Sequence, residues 1–182
     1  MTTAVKPYTG TWTADPVHSS FGFAVEYAGT GKFRGTLDDV TATLSTGDDG
    51  FALEGAARVE SISIRSPEQF RAHVLGAEFF DADNHPEVTF RSTKVELADD
   101  GTARLDGELT IAGTTRPVAI AGTWSEPVPA AGGGLRAGLE LATVIDRRDF
   151  GLDWQMELPG GGEALAYDVA LEVNLYLVQP EG

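Results

Sequence analysis

Leu165-Ala166-Tyr167-Asp168-Val169-Ala170-Leu171-Glu172-Val173-Asn174-Leu175-Tyr176-Leu177-Val178 decides the fold class. Val169, Leu171, Val173, Leu175 and Leu177 fall on one face, which is the period of two that marks a half-buried strand. The same period recurs upstream. Phe21, Phe23 and Val25 alternate with Gly22 and Ala24; Leu53, Gly55, Ala57 and Val59 follow; Val88 and Phe90 lead, after an irregularity, to Val95 and Leu97. Leu105, Gly107, Leu109 and Ile111, then Val118 and Ile120, then Leu135 to Ile145 complete the series. These amount to roughly eight strands, the number at which a closed barrel is either filled by its own side chains or holds one small ligand.

Turn chemistry separates the strands. Gly47-Asp48-Asp49-Gly50, Asp99-Asp100-Gly101 and Gly113-Thr114-Thr115 read as hairpin connections, because Gly and Asp tolerate the positive φ of tight turns. The order is therefore largely a meander. Pro129 to Gly134 is flanked by patterned strands and reads as a long hairpin loop, so residues 1–182 form one domain.

One segment breaks the alternation. Ser66 is a good N-cap, Pro67 suits the first helical position, Gln69 completes a capping box, and Gly76 would end the helix in a left-handed conformation. Phe70, His73 and Val74 then share a face. A helix of ~10 residues is marginal alone in water, so this face is expected to pack on the sheet, as a lid over a barrel mouth or as a simple closure of the core.

Composition narrows the function. The chain has 28 acidic and 13 basic residues, a field that repels phosphate backbones and anionic membrane surfaces, so nucleic acid is not an expected partner. With no cysteine there is no disulfide and no thiolate nucleophile or ligand. Met1 to Tyr8 lacks the apolar stretch of a secretory signal, and no run approaches the ~18 apolar residues of a membrane helix. The expectation is a cytoplasmic protein without membrane insertion.

Catalytic and cofactor motifs are thin. His18-Ser19-Ser20-Phe21-Gly22 lacks the first glycine of a nucleophile elbow and sits where a strand begins. His18, His73 and His85 have no mutual spacing that aims two of them at one ion, and Gly160-Gly161-Gly162 lacks the Lys-Ser/Thr of a phosphate cradle. No catalytic residue, metal or cofactor is expected. The aromatic residues Phe21, Phe23, Phe33, Phe70, Phe79, Phe80, Phe90, Phe150 and Trp154 are spread over the strands and the helix. Small residues such as Gly22, Ala24, Gly107 and Gly138 recur in the strand patterns, and at inward positions they would leave room for an apolar guest. The other reading is that the rings pack one another.

Several segments also carry a likeness in order along the chain: Asp15 to Val25; His73 with Phe79-Phe80-Asp81; Pro86 to Phe90; Gly107 to Val118; Ile145 to Gly151; and Gly161-Gly162 with Asp168-Val169. Together they resemble the YceI-like family. The resemblance implies an all-β fold, an extended antiparallel lipocalin-like β-barrel with one short inserted helix. It implies a non-enzymatic carrier whose interior holds a long-chain amphiphile, a polyisoprenoid quinone precursor or a fatty amide. The expected lining is Phe21, Phe23, Val25, Phe33, Phe70, His73, Val74, Phe79, Phe80, Phe90, Leu109, Ile111, Phe150 and Trp154, with Arg116 and Arg147 as candidate head-group contacts. The chain departs from the family pattern at Tyr27, Phe70-Arg71 and Ala112, which argues against a charged headgroup, and Phe70 makes the helix face more apolar, favouring a neutral guest or a more tightly packed pocket. Two other readings stay open: an enzyme using His73 on a small apolar substrate, and a filled, homodimeric interaction module.

Overall fold

The computed structural model describes residues 8–182; Met1 to Pro7, most of the segment read above for a signal, lie outside the described residues. The chain forms β1 (Thr11–Ala14), β2 (Ser20–Tyr27), β3 (Gly31–Leu37), β4 (Val40–Gly47), β5 (Gly50–Arg58), α1 (Glu68–Leu75), β6 (Glu87–Leu97) and β7 (Thr102–Ile111). Then follow β8 (Thr114–Trp124), β9 (Val128–Pro129), β10 (Leu135–Asp146) and β11 (Leu165–Gln179). Every strand pairing is antiparallel.

The strand that decided the fold class from sequence also closes the barrel. One edge of β11 pairs β10 without interruption from Leu135↔Gln179 to Asp146↔Asp168. Its other edge takes β1 at Leu177 and Val178 and β2 from Leu165 to Asn174, so β1 and β2 act as one interrupted stave. Likewise β3 pairs β2 while β4 pairs β1, making a second interrupted stave. With β5, β6, β7, β8, β10 and β11 the ring has eight staves in meander order. Ser19 mends the first interruption: its buried hydroxyl accepts from the Tyr176 amide at 3.1 Å.

The hairpins follow their turn residues. Gly50 and Gly101 adopt positive φ between β4 and β5 and between β6 and β7, and Ala112-Gly113, both at positive φ, makes the tight β7–β8 turn. The irregularity expected before Val95 is a register shift between Ser92 and Lys94.

The second interruption shapes the molecule. On the β3 side of Asp38 the outer edge of the stave does not meet β5; it meets the insertion between β5 and β6. Leu37 bridges Ile62, the Ser63 amide donates to the Thr36 carbonyl at 2.8 Å, and the Thr36 amide donates to Ser63 Oγ at 3.0 Å. Arg71 pins α1 to this segment, donating to the carbonyls of Ile64 at 3.1 Å and Glu60 at 2.9 Å.

The helix is capped differently from the expectation. Its first helical residue is Glu68, Pro67 occupies the N-cap in an extended conformation, and no side chain caps the amides, so the Ser66–Gln69 capping box does not form. Gly76 ends the helix at φ −78° and ψ −179°, not in the left-handed region. The chain reverses instead at Asp81, whose φ is 50° and whose carboxylate accepts from Asn84 Nδ2 at 3.0 Å. Gly76 still matters, because its carbonyl accepts from the Phe79 and Asp81 amides.

The small residues do not leave the room expected of them. Gly22, Ala24 and Gly138 fall on the outward phase of their strands, opposite to the buried Phe21, Val25, Ala137 and Leu139. Gly107 does face inward, but a Cβ there would lie 2.5 Å from Phe90 Cζ and 2.5 Å from the Arg91 carbonyl oxygen. Its missing side chain seats a phenylalanine ring rather than a guest.

Candidate ligand-binding site

A cavity of about 560 Å³ opens at the end of the barrel where β3 meets the insertion. Its walls come from five sources. Strand β2 gives Phe21, Phe23, Val25 and Tyr27, with Phe33 beside them on β3. The insertion gives Phe70, His73 and Val74 from α1, then Phe79 and Phe80. Ile111, Ile145 and Arg147 come from the β7 and β10 side, and Leu152, Trp154 and Met156 from the loop before β11. Leu165, Val169 and Leu171 on β11 complete it. Of these nineteen side chains only Tyr27, His73 and Arg147 carry an ionisable group, and none is a carboxylate.

The aromatic residues form two groups. Phe23 meets Phe33 and Phe80 at ring-centroid distances of 5.8 and 5.9 Å, and Phe33 meets Phe70 at 5.4 Å. His73, Phe79 and Trp154 form the second group, with centroids 5.1 to 5.4 Å apart. These are edge-to-face and tilted contacts that hold rings upright around a space. Phe23 is fixed by the same device as Phe90: a Cβ at Gly35, its cross-strand neighbour, would lie 2.5 Å from Phe23 Cζ. Tyr27, Phe70 and Met156 are the exposed members, so they mark the mouth.

Two polar systems shape the wall. His73 Nε2 lies 2.8 Å from a Glu78 carboxylate oxygen, tying the end of α1 to the turn that carries Phe79 and Phe80. Arg147 is buried and spends its guanidinium on carbonyls, donating to Leu152 at 2.6 Å, Ala166 at 2.9 Å and Leu165 at 3.2 Å, with Tyr167 beneath it. Burial pulls its pKa down from the ordinary value. The Asp146 carboxylate pairs with Arg148, not with Arg147; Arg148 donors hold the Asp146 pKa down to about 2. Among the described residues no carboxylate lies within ion-pair distance of Arg147. Gln155 clips the loop further, exchanging two hydrogen bonds with the Leu165 backbone at 2.7 and 2.9 Å.

The cavity gathers Phe21, Phe23, Val25, Phe33, Phe70, His73, Val74, Phe79, Phe80, Ile111, Trp154 and Arg147 from the expected set. Phe90 and Leu109 border a separate void of about 60 Å³ deeper in the barrel. Phe150 is buried in the core and lines neither space. Arg116 stands exposed on β8, donating to the neighbouring Thr115 carbonyl at 3.2 Å, away from the cavity. Sequence reasoning missed Tyr27, Ile145, Leu152, Met156, Leu165, Val169 and Leu171 as liners. The odd phase of β11 and the continuation of the Phe21–Phe23–Val25 alternation to Tyr27 carried a signal for some; Leu152 and Met156 sit in a loop with no period to read.

Comparison with known proteins accounts for the barrel and its insertion. The YceI-like domain model matches residues 12–177. The chain belongs to the YceI-like family. A UPF0312 protein of Ectopseudomonas mendocina is 29% identical over 136 residues, 73% of this chain and 71% of that relative. The crystal structure of Burkholderia cenocepacia BcnA superposes with a TM-score of 0.71 at 18% identity, covering 91% of this chain and 99% of that one. A polyisoprenoid binding domain from Saccharophagus degradans, implicated in plant cell wall breakdown, gives a TM-score of 0.67 at 12% identity, covering 93% of this chain and 98% of that one. At these identities the YceI-like structures establish the barrel, while the lining belongs to this chain.

Proposed function

We propose that this YceI-like protein binds the hydrocarbon tail of a neutral or weakly anionic amphiphile, an isoprenoid first among them, and carries it without chemical change. The observation that carries this reading is the 560 Å³ cavity, within the range of small-molecule sites and walled almost wholly by apolar groups. The polyisoprenoid binding domain that shares the fold supports an isoprenoid as the guest. Burial of about 0.8 kcal/mol per carbon group gives roughly 3 to 4 kcal/mol gross for each five-carbon unit, so a few units offset an association cost of ~4 to 15 kcal/mol. Arg147, a cation in a lining without carboxylates, favours an oxygen-rich head such as a phenol or quinone over an ammonium.

The test is native mass spectrometry of the purified protein followed by solvent extraction of the bound material. A mass above that of the polypeptide, with an isoprenoid in the extract, is the expected result. A fatty amide would keep the carrier reading and replace the guest. Bare polypeptide with no saturable uptake of added isoprenoids would overturn the reading.

A second reading has one observation in its favour. His73 lines the cavity, and its Nε2 lies 2.8 Å from the carboxylate of Glu78, an exposed residue outside the lining, in the arrangement of a base with its orienting acid. An enzyme of this kind requires turnover of a small apolar substrate that is lost in His73→Ala and reduced in Glu78→Gln. A carrier requires neither.

A further inference from the structure

The inner faces of β2 and β11 line the cavity along its length. From the mouth inward β2 presents Tyr27, which is exposed, then Val25, Phe23 and Phe21, with Val25 and Phe21 both buried. Strand β11 runs beside it, with Val169 paired to Val25 and Leu171 paired to Phe23. Beyond Phe21 and Leu171 lies the second void, about 60 Å³, bordered by those same two side chains together with Val40, Leu53, Phe90 and Leu109. Phe21 and Leu171 are therefore the septum between a large space and a small one.

Two measures of the large space agree. Divided at roughly 30 Å³ for each non-hydrogen group in a condensed phase, 560 Å³ holds about 19 atoms, close to four five-carbon units. The six-residue climb from Phe21 to Tyr27 spans about 20 Å at strand rise. With C–C bonds of ~1.5 Å an isoprene unit extends by about 5 Å, which again gives about four.

We infer that Phe21 and Leu171 are specificity-determining residues that stop a bound tail at about four isoprene units, an inference that rests on the tail-binding reading above. Carbons beyond the fourth unit stay in water at the mouth and add no affinity. Opening the septum joins the two spaces. Phe21→Ala removes six ring carbons and, with the 60 Å³ beyond, makes room for about eight more atoms, one to two units. Leu171→Ala opens the same partition by about one unit.

The experiment uses the full chain and all-trans prenols of two to six units, each bearing a short ethylene-glycol head that keeps it monomeric. Trp154 fluorescence reports binding from within the cavity, while Trp12 and Trp124 lie against Tyr8 outside the cavity lining. The dissociation constant is expected to tighten by about tenfold or more per unit up to four units, then to change by less than about threefold. Phe21→Ala moves that break outward by one or two units, and Leu171→Ala by one; the latter carries the test if the former does not refold. Affinity that keeps rising through six units in the natural protein, or a break that stays at four in either folded variant, overturns the septum. Absence of saturable binding at every length in the natural protein removes the tail-binding reading itself, and the septum with it.

Discussion

At one end of the barrel rings meet rings; at the other, rings stand around a space. Tyr8 packs against Trp12, Phe51 and Trp124 with centroids 5.2 to 6.2 Å apart, and Leu44, Leu105, Leu139 and Leu177 close the layer with almost no exposure. Phe23, Phe33, Phe70 and Phe80 make contacts of the same geometry at the other end, yet they border 560 Å³. The residue types hardly differ. What differs is the wall. At the filled end β11, β1, β4 and β5 are joined stave to stave by hydrogen bonds. Neighbouring strands stand ~4.8 Å apart, so that circumference is tight. At the hollow end the insertion replaces a strand contact between β3 and β5, and a helix ~10 Å across holds the wall open. Backbone closure, more than side-chain size, decides which end can be packed.

The largest expected effect separates the two ends by stability. Trp12→Ala should lower the unfolding free energy by about 3 to 5 kcal/mol in denaturant titration, because it excavates the filled end. A loss under about 1 kcal/mol would mean that this end is no better packed than the other. Gly107→Leu comes next. Its side chain would enter the place of the Phe90 ring, so a loss of about 1 to 3 kcal/mol or more is expected, with tail uptake retained in whatever protein folds.

Tyr8→Phe sharpens the comparison through pH. The Tyr8 hydroxyl donates to the Ser125 carbonyl at 2.8 Å, and burial pushes its pKa from 10.0 up to about 12. The neutral phenol is the folded form, so its contribution is complete below pH 10 and is lost as pH rises through 12. The variant should be less stable by about 1 kcal/mol near neutrality and should show a shallower alkaline loss between those limits; identical alkaline slopes would contradict the assignment. The smallest effect on stability belongs to the hollow end. Val25→Phe adds a ring to open space and should change the unfolding free energy by less than about 1 kcal/mol while weakening tail binding. A loss as large as that of Trp12→Ala would mean that the space is not there.

The barrel was legible because period-two alternation runs through most of the long strands, and because glycine marks the β4–β5, β6–β7 and β7–β8 turns, although the last falls at Ala112-Gly113 and Thr114 and Thr115 already belong to β8. The helix face was legible too, since Phe70, His73 and Val74 follow a helical period. The caps were not, because the helix begins after Pro67 and the reversal falls at Asp81, a non-glycine residue in the left-handed region. Nor was the division of the aromatics between filled and hollow ends. Phe23, which lines the cavity, and Phe90, which borders the deeper void, look alike in sequence, each followed two residues later by another strand position. Only the cross-strand partners, Gly35 for one and Gly107 in the neighbouring strand for the other, show that each ring lies over a glycine. Arg147 was legible as a candidate head-group contact but not in its choice of partners, since carbonyls eighteen and nineteen residues away hold it in place of the adjacent Asp146.

The most direct measurement of the central claim is a methyl-labelled NMR titration with a four-unit prenol. The account predicts saturable shifts at Val25, Ile111, Ile145, Leu165 and Val169, with Leu44, Leu105, Leu139 and Leu177 unmoved. Shifts centred on the latter four, or no shift at either end, would contradict it.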